Sequence, residues 1–216
     1  MFWKKNQNTN DARERMVERD IKGRGITNER VLEAFRNVKR ELFMPSDVQK
    51  YAYADEPLPI GKGQTISQPY IVAYMTDMLD PQPDDRVLEV GTGSGYQAAI
   101  LAEIVGHLYS LEIVSELKER AENLLLNEMG YENISIREGS GFDGWPDEAP
   151  FDKIIVTAAP EIFPQKLADQ LKIGGRMSIP FGHLHNQRLY LVTRDEEGIH
   201  KHPDLPVRFV PMTERD

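Results

Sequence analysis

Apolar residues change their period near residue 80, and that change splits the chain into two stretches. From Ala12 to Arg40 the pattern is charged and amphipathic, broken by Gly23 and Gly25. Within it, Thr27-Asn28-Glu29-Arg30 reads as a cap before a helix carrying Val31, Leu32, Ala34, Phe35 and Val38. The residues before Met16 are expected to be an unstructured extension. Pro45, Pro57 and Pro59 then punctuate a loop-rich stretch that ends at Gly61-Lys62-Gly63-Gln64-Thr65-Ile66-Ser67-Gln68-Pro69, and helical spacing returns from Tyr70 to Leu79.

Beyond Pro81 and Pro83 short apolar runs alternate with amphipathic ones. Strands are predicted at Arg86 to Val90, His107 to Glu112, Ile134 to Arg137, Lys153 to Thr157 and Arg176 to Pro180. Helices are predicted at Tyr96 to Val105 and Ser115 to Met129, stopped by Gly106 and Gly130, and at Glu161 to Leu171 after Pro160. Alternation at this spacing predicts an α/β fold: a mostly parallel, doubly wound sheet with helices on both faces. Arg188 to Thr193 and Val207 to Val210 read as strands joined without a helix, so antiparallel additions are expected at one edge. With no internal repeat or low-complexity tract, one domain is expected over residues 1–216. Residues 1–80 would be its helical and looped front piece and residues 81–216 its α/β core.

Charge and composition narrow the partners. A formal net charge of -9 offers no broad basic field for a phosphate backbone or an anionic bilayer, so neither nucleic acid nor membrane is expected. The absence of cysteine removes disulfides, thiolate catalysis and cysteine-ligated metals, and it suits a reducing compartment. His183, His185, His200 and His202 fall at loop-like positions with no carboxylate at helical spacing, so no metal site is expected. Met1 to Lys5 and the polar run from Asn6 to Asp20 lack the apolar core of a signal peptide. A cytoplasmic monomer is the expectation.

The chemistry begins at Val87-Leu88-Glu89-Val90-Gly91-Thr92-Gly93-Ser94-Gly95-Tyr96, a strand running into a tight glycine turn and then a helix. Glycines there let a ligand lie over the turn beside the helix N-terminus, and Glu112, about 20 residues on, can accept hydrogen bonds from ribose hydroxyls. A dinucleotide turn runs G-x-G-x-x-G, whereas this one runs G-x-G-x-G and follows Glu89. A carboxylate at that place repels a pyrophosphate and suits a ligand bearing an ammonium and a sulfonium, as S-adenosylmethionine does.

Three segments are together similar to the protein-L-isoaspartate (D-aspartate) O-methyltransferase family, with the resemblance running from about Met16 to Thr213. They are Leu58-Pro59-Ile60-Gly61-Lys62-Gly63-Gln64-Thr65-Ile66-Ser67-Gln68-Pro69-Tyr70, the glycine turn continued through Gln97-Ala98-Ala99, and Pro206-Val207-Arg208-Phe209-Val210-Pro211-Met212-Thr213. The resemblance implies a Rossmann-like S-adenosylmethionine-dependent methyltransferase fold. It also implies methyl transfer to the α-carboxylate of L-isoaspartyl residues in damaged proteins and peptides, with D-aspartyl a poorer acceptor and S-adenosylhomocysteine the product.

Carried onto this chain, the resemblance makes Ser67 the donor that orients the acceptor carboxylate, helped by the backbone of Thr65 and Ile66. Val207, Arg208 and Phe209 would pair with or wall the substrate. Gln68, Glu89, Gly91, Thr92, Gly93, Ser94, Gly95, Glu112, Ser140, Gly141 and Thr213 would surround the cofactor. Glu89 would lie near its amino-acid end and Glu112 on its ribose. Two positions depart from the family pattern. Gly139-Ser140-Gly141 stands where Gly-Asp-Gly is common, exchanging a charged adenine contact for a hydroxyl worth about 1 to 3 kcal/mol less, and Tyr70 stands where some members carry histidine. The competing readings are a cofactor-binding protein that has lost catalysis, a methyltransferase for another carboxylate acceptor, and an NAD-dependent dehydrogenase.

Overall fold

A computed structural model describes residues 2–214. Its chain opens with α1 (Phe2–Arg15), which runs on through a wider turn at Met16–Ile21 and stops near Gly25, held at φ 102°. A helix therefore stands where an unstructured extension was expected. Tertiary contact explains it, because Arg36 on the next helix binds Glu14 at 3.2 Å and Glu18 at 2.7 Å. That helix, α2 (Glu29–Asn37), is capped by Asn28, whose side chain accepts the Arg30 amide at 3.2 Å.

The glycine-bracketed stretch read as a loop is a hairpin. β1 (Leu58–Gly61) and β2 (Gln64–Ile66) pair antiparallel, burying Leu58, Ile60 and Ile66 on one side. Gly61, Lys62 and Gly63 turn at φ 92°, 54° and 70°, a left-handed run that two glycines make affordable. α3 (Pro69–Leu79) follows with proline in its first turn.

The core then runs β3 (Arg86–Val90), α4 (Tyr96–Ala102), β4 (His107–Glu112), α5 (Ser115–Glu122) with a wider continuation at Asn123–Glu128, and β5 (Ile134–Glu138). It continues as β6 (Phe151–Val156), α6 (Gln165–Ala168), β7 (Leu171–Phe181), β8 (Gln187–Asp195) and β9 (Gly198–Val207). One sheet takes the order β5-β4-β3-β6-β7-β8-β9, with the first five strands parallel and β8 and β9 added antiparallel at one edge. Period-2 alternation sends Val87, Leu108 and Ile155 into an apolar cluster shared with α2, α3, α4 and α5. Leu88, Val90, Ile154 and Val156 enter a second cluster on the other face with α6.

Four local expectations need correction. The helix read from Glu161 to Leu171 shrinks to Gln165–Ala168, because Pro164 drives Phe163 out of helical geometry and Leu171 already starts β7. The helix read to Val105 ends at Ala102. His200 and His202 lie in β9, not in a loop. The last strand also sits earlier than read: β9 ends at Val207. Beyond it the buried Gln187 side chain substitutes for a neighbouring strand, its Nε2 donating to Phe209 O at 3.2 Å and its Oε1 accepting the Phe209 amide at 2.6 Å. Ala159 then binds the backbone of Val210 and Met212. No helix among the described residues is long and apolar enough to cross a membrane.

Candidate active site

The glycine turn leaves β3 at the carboxyl end of the sheet, where strand order reverses and an open α/β sheet leaves a crevice. Gly91 takes φ 97°, and a Cβ added there would stand 2.4 Å from Thr157 Oγ1. Thr157 is what fixes this close approach, since its hydroxyl donates to Gly91 O at 2.7 Å. Gly93 at φ 53° passes under Ile60 of the hairpin.

Glu112 closes β4 beside this turn. Its Oε2 accepts the Gly93 amide at 2.6 Å, and its Oε1 accepts the amides of Ile113 and Val114 at 2.9 and 3.0 Å. These bonds fix the carboxylate, fill both lone-pair sites of Oε1 and leave one on Oε2 for a ligand hydroxyl.

A single cleft of about 580 Å³ extends from here. Gly91, Thr92, Gly93, Ser94 and Glu112 form one wall, Gln64 to Gln68 a second, and Pro206 to Thr213 a third. Gly139, Gly141 and Thr157 also reach it. The hairpin wall is held from outside by α5, with Arg120 donating to Ile60 O at 3.0 Å and Lys62 pairing with Glu116 at 2.6 Å. From beneath, wholly buried Arg40 donates to Ala52 O at 2.5 Å, Glu56 O at 3.1 Å and Ser67 O at 3.0 Å. Asp55 sets the start of α3: Oδ1 accepts the Tyr70 amide at 2.9 Å and Oδ2 the Gln68 side chain at 2.7 Å.

Most residues named from the sequence converge on this cleft. Thr65, Ile66, Ser67 and Gln68 line it, as do Val207, Arg208, Phe209 and Thr213. Among the described residues the Ser67 hydroxyl makes no hydrogen bond, so it is free to turn to a ligand, whereas the Ile66 side chain is buried and only its backbone can serve. Arg208 is the one cation on the walls among the described residues.

Three residues lie off the walls. Gly95 at φ 86° serves packing instead, because a Cβ there would press on Leu125 at 3.1 Å. Ser140 turns its hydroxyl to the Phe142 amide at 3.3 Å, between Gly139 and Gly141. Glu89 is wholly buried behind the wall, with Oε2 accepting from Ser110 Oγ at 2.5 Å. Burial pushes its carboxyl up to about 8 against the opposing Ser110 bond, with repulsion from Glu112 adding to the rise.

Sequence reasoning did not find Arg40, Asp55, Ser110 and Thr157. Ser110 carried a signal, since a serine two residues before Glu112 in a buried strand shares its face. Arg40, in the run Lys39-Arg40-Glu41, looked like a solvated charge.

A family model described as protein-L-isoaspartate(D-aspartate) O-methyltransferase matches residues 10–216. The chain is 55% identical over 204 residues to the protein-L-isoaspartate O-methyltransferase of Opitutus terrae, covering 94% of this chain and 87% of that one. The protein of the same name from Gloeobacter violaceus is 50% identical over 199 residues, covering 92% and 97%. A solved protein-L-isoaspartate O-methyltransferase superposes with a TM-score of 0.86 at 29% identity, over 94% of this chain and 66% of that one. A Plasmodium falciparum relative, solved in complex with S-adenosyl-L-homocysteine, gives 0.79 at 26% identity over 93% and 97%. With sequence and fold agreeing over nearly the whole chain, this protein belongs to the protein-L-isoaspartate (D-aspartate) O-methyltransferase family of S-adenosylmethionine-dependent enzymes.

Proposed function

We propose that this chain methylates the free α-carboxylate of L-isoaspartyl residues in damaged proteins and peptides, with D-aspartyl a poorer acceptor, and that residues 1–80 and 81–216 work as one catalytic unit. The observation that carries the reading is the continuity of the cleft, which joins the glycine turn and Glu112 to Ser67 and the Val207 to Phe209 segment.

The donor set suits S-adenosylmethionine. Glu112 offers a fixed carboxylate lone pair on Oε2 to a ribose hydroxyl, the positive-φ glycines open the floor, and Glu89 holds behind the wall a buried Oε1 with no hydrogen-bond partner among the described residues. When bound, S-adenosylmethionine supplies a methyl on a sulfonium, whose C–S electron pair returns to sulfur as the new C–O bond forms.

The protein's share is placement. An α-carboxylate with a pKa of about 3.5 is ionised at neutral pH and needs no general base. Ser67 donates to one acceptor oxygen and leaves the other to attack. Arg40 steadies Ser67 through its carbonyl. The hairpin and the C-terminal segment wall the reacting pair from bulk water, which strengthens the pull between carboxylate and sulfonium. The methylated product then leaves; unaided, its following backbone amide nitrogen attacks the ester carbonyl and expels methanol to close a succinimide, which water opens in part to normal aspartate. The low hydropathy, the absence of cysteine and the acidic charge favour a cytoplasmic monomer that binds neither nucleic acid nor membrane.

The test uses methyl-labelled S-adenosylmethionine with two peptides differing only in L-isoaspartate or L-aspartate. Base-labile ester on the isoaspartyl peptide alone is expected, and equal labelling or none overturns the reading. Ser67→Ala should cut turnover while leaving S-adenosylhomocysteine affinity intact. Full turnover in that variant removes Ser67 from its role.

A further inference from the structure

Glu89, Ser110 and Thr92 form a chain of hydrogen bonds from the interior of the sheet to the cleft. Glu89 and Ser110 stand opposite each other across β3 and β4, both wholly buried, and Ser110 Oγ donates to Glu89 Oε2 at 2.5 Å. A serine hydroxyl has one hydrogen. With that hydrogen given to the carboxylate, the 2.6 Å contact between Ser110 Oγ and Thr92 Oγ1 must take its hydrogen from Thr92. The free lone pairs of Thr92, which lines the cleft, are then left for a ligand that donates.

Building on the cofactor site proposed above, we infer that Ser110 is a positioning residue: it relays the charge of Glu89 to Thr92, so that Thr92 meets the cofactor as an acceptor and favours the ammonium of its amino-acid end. The chain has a second polarity. When Glu89 carries a proton on Oε2, each hydroxyl turns over and Thr92 points its hydrogen into the cleft, which opposes a cation.

The surroundings of Glu89 favour that second state until a cation arrives. β4 brings Ser110 and the repelling Glu112, β6 brings Ile155 alongside, and α4, packed on β4, brings no charged side chain. Oε1 has no hydrogen-bond partner among the described residues. Burial and Glu112 hold the carboxyl near pH 8. A ligand ammonium must therefore draw the proton off, and since binding prefers the ionised carboxyl, affinity rises with pH up to about that value and then levels.

The experiment is calorimetry of S-adenosylhomocysteine and of adenosine, which lacks the ammonium, on the full chain between pH 6 and 8. Wild type, Ser110→Ala and Glu89→Gln are compared. Glu89→Gln places an amide donor against Ser110 and holds the chain in its second polarity, so it tests the relay even if Ser110→Ala folds poorly. For wild type, S-adenosylhomocysteine affinity should rise about tenfold with proton release, on the order of one pKa unit of coupling. Both variants should bind it about tenfold weaker at pH 8, the scale of one charge-assisted hydrogen bond, with a flat pH profile and unchanged adenosine affinity. A wild-type profile in the folded variants overturns the relay, as does an equal loss for adenosine. Wild type that binds neither ligand overturns the cofactor reading itself and the relay with it.

Discussion

Replacing Arg40 should loosen the acceptor wall and the front piece together. The guanidinium is wholly buried and serves three carbonyls from two separate segments: Ala52 and Glu56 before the hairpin, Ser67 after it. Desolvation lowers its pKa, with nearby Tyr96 and Asp55 opposing the fall, and the three carbonyls take up hydrogens that water no longer reaches. In Arg40→Met the side-chain volume is largely kept and the three donors are lost. The Ala52 oxygen is then stranded in the interior at about 2 kcal/mol, while the part-buried Glu56 and Ser67 oxygens regain some water and cost about 1 kcal/mol each. Relief from burying a charge offsets a part of this. A net loss of about 3 kcal/mol remains, near 6 to 12 °C in Tm for a chain of this size. Urea unfolding reads the stability, and steady-state kinetics reads the site. KM for an isoaspartyl peptide should rise several-fold while S-adenosylhomocysteine affinity changes little, because Glu112 and the glycine turn are held by other bonds. Arg40→Met within about 0.5 kcal/mol of wild type, with unchanged peptide KM, would refute the reasoning.

Other outcomes follow from the same geometry. Gly91→Ala puts a Cβ 2.4 Å from Thr157 Oγ1 at φ 97°, so S-adenosylhomocysteine binding should weaken by about tenfold or more. Adding Thr157→Ala should restore part of it, and an undiminished Kd in the single variant would remove the close-approach argument. Glu89 titrates near 8 in the folded chain against an ordinary 4.5. Its neutral form therefore lends stability that is complete below about 4.5 and is lost as pH rises to 8. The ligand-free wild type should lose Tm across that window relative to Glu89→Gln, and parallel profiles would contradict the assignment. Ser140→Asp should tighten S-adenosylhomocysteine binding by about tenfold if it restores a charge-assisted adenine contact. No change by calorimetry would show that the loop points its side chain elsewhere, in the direction set by the Ser140 bond to the Phe142 amide.

Much of the architecture was legible from local signals. The period change near residue 80, the Asn28 cap, and the helix stop at Gly130 are determined by residues adjacent in the chain. So is the turn from β3 through Gly91 and Gly93, because positive φ is a demand that a single position announces. The cleft residues Thr65 to Gln68 and Val207 to Phe209 came instead from likeness to a family, and their meeting in one cavity is a fact of folding. Where local reading failed, the deciding contact came from far away. α1 is held by Arg36, and the segment after Val207 is held by Gln187 and Ala159. The hairpin at Leu58 to Ile66 was visible in its alternation, yet its glycines and prolines masked it as a loop.

The sequence alone thus determined which backbone positions could bend and which residue types could meet a cationic, ribose-bearing ligand. Tertiary structure alone decided what each charge is worth. Arg40 sits in a run that looks ordinary on paper and Glu89 reads there as an ionised charge beside the glycine turn, but one is clamped by three carbonyls and the other sealed against Ser110. Burial, a property of the whole fold, converts an ordinary ionisable side chain into a staple in one case and a proton-holding group in the other, and no window of neighbouring residues encodes it.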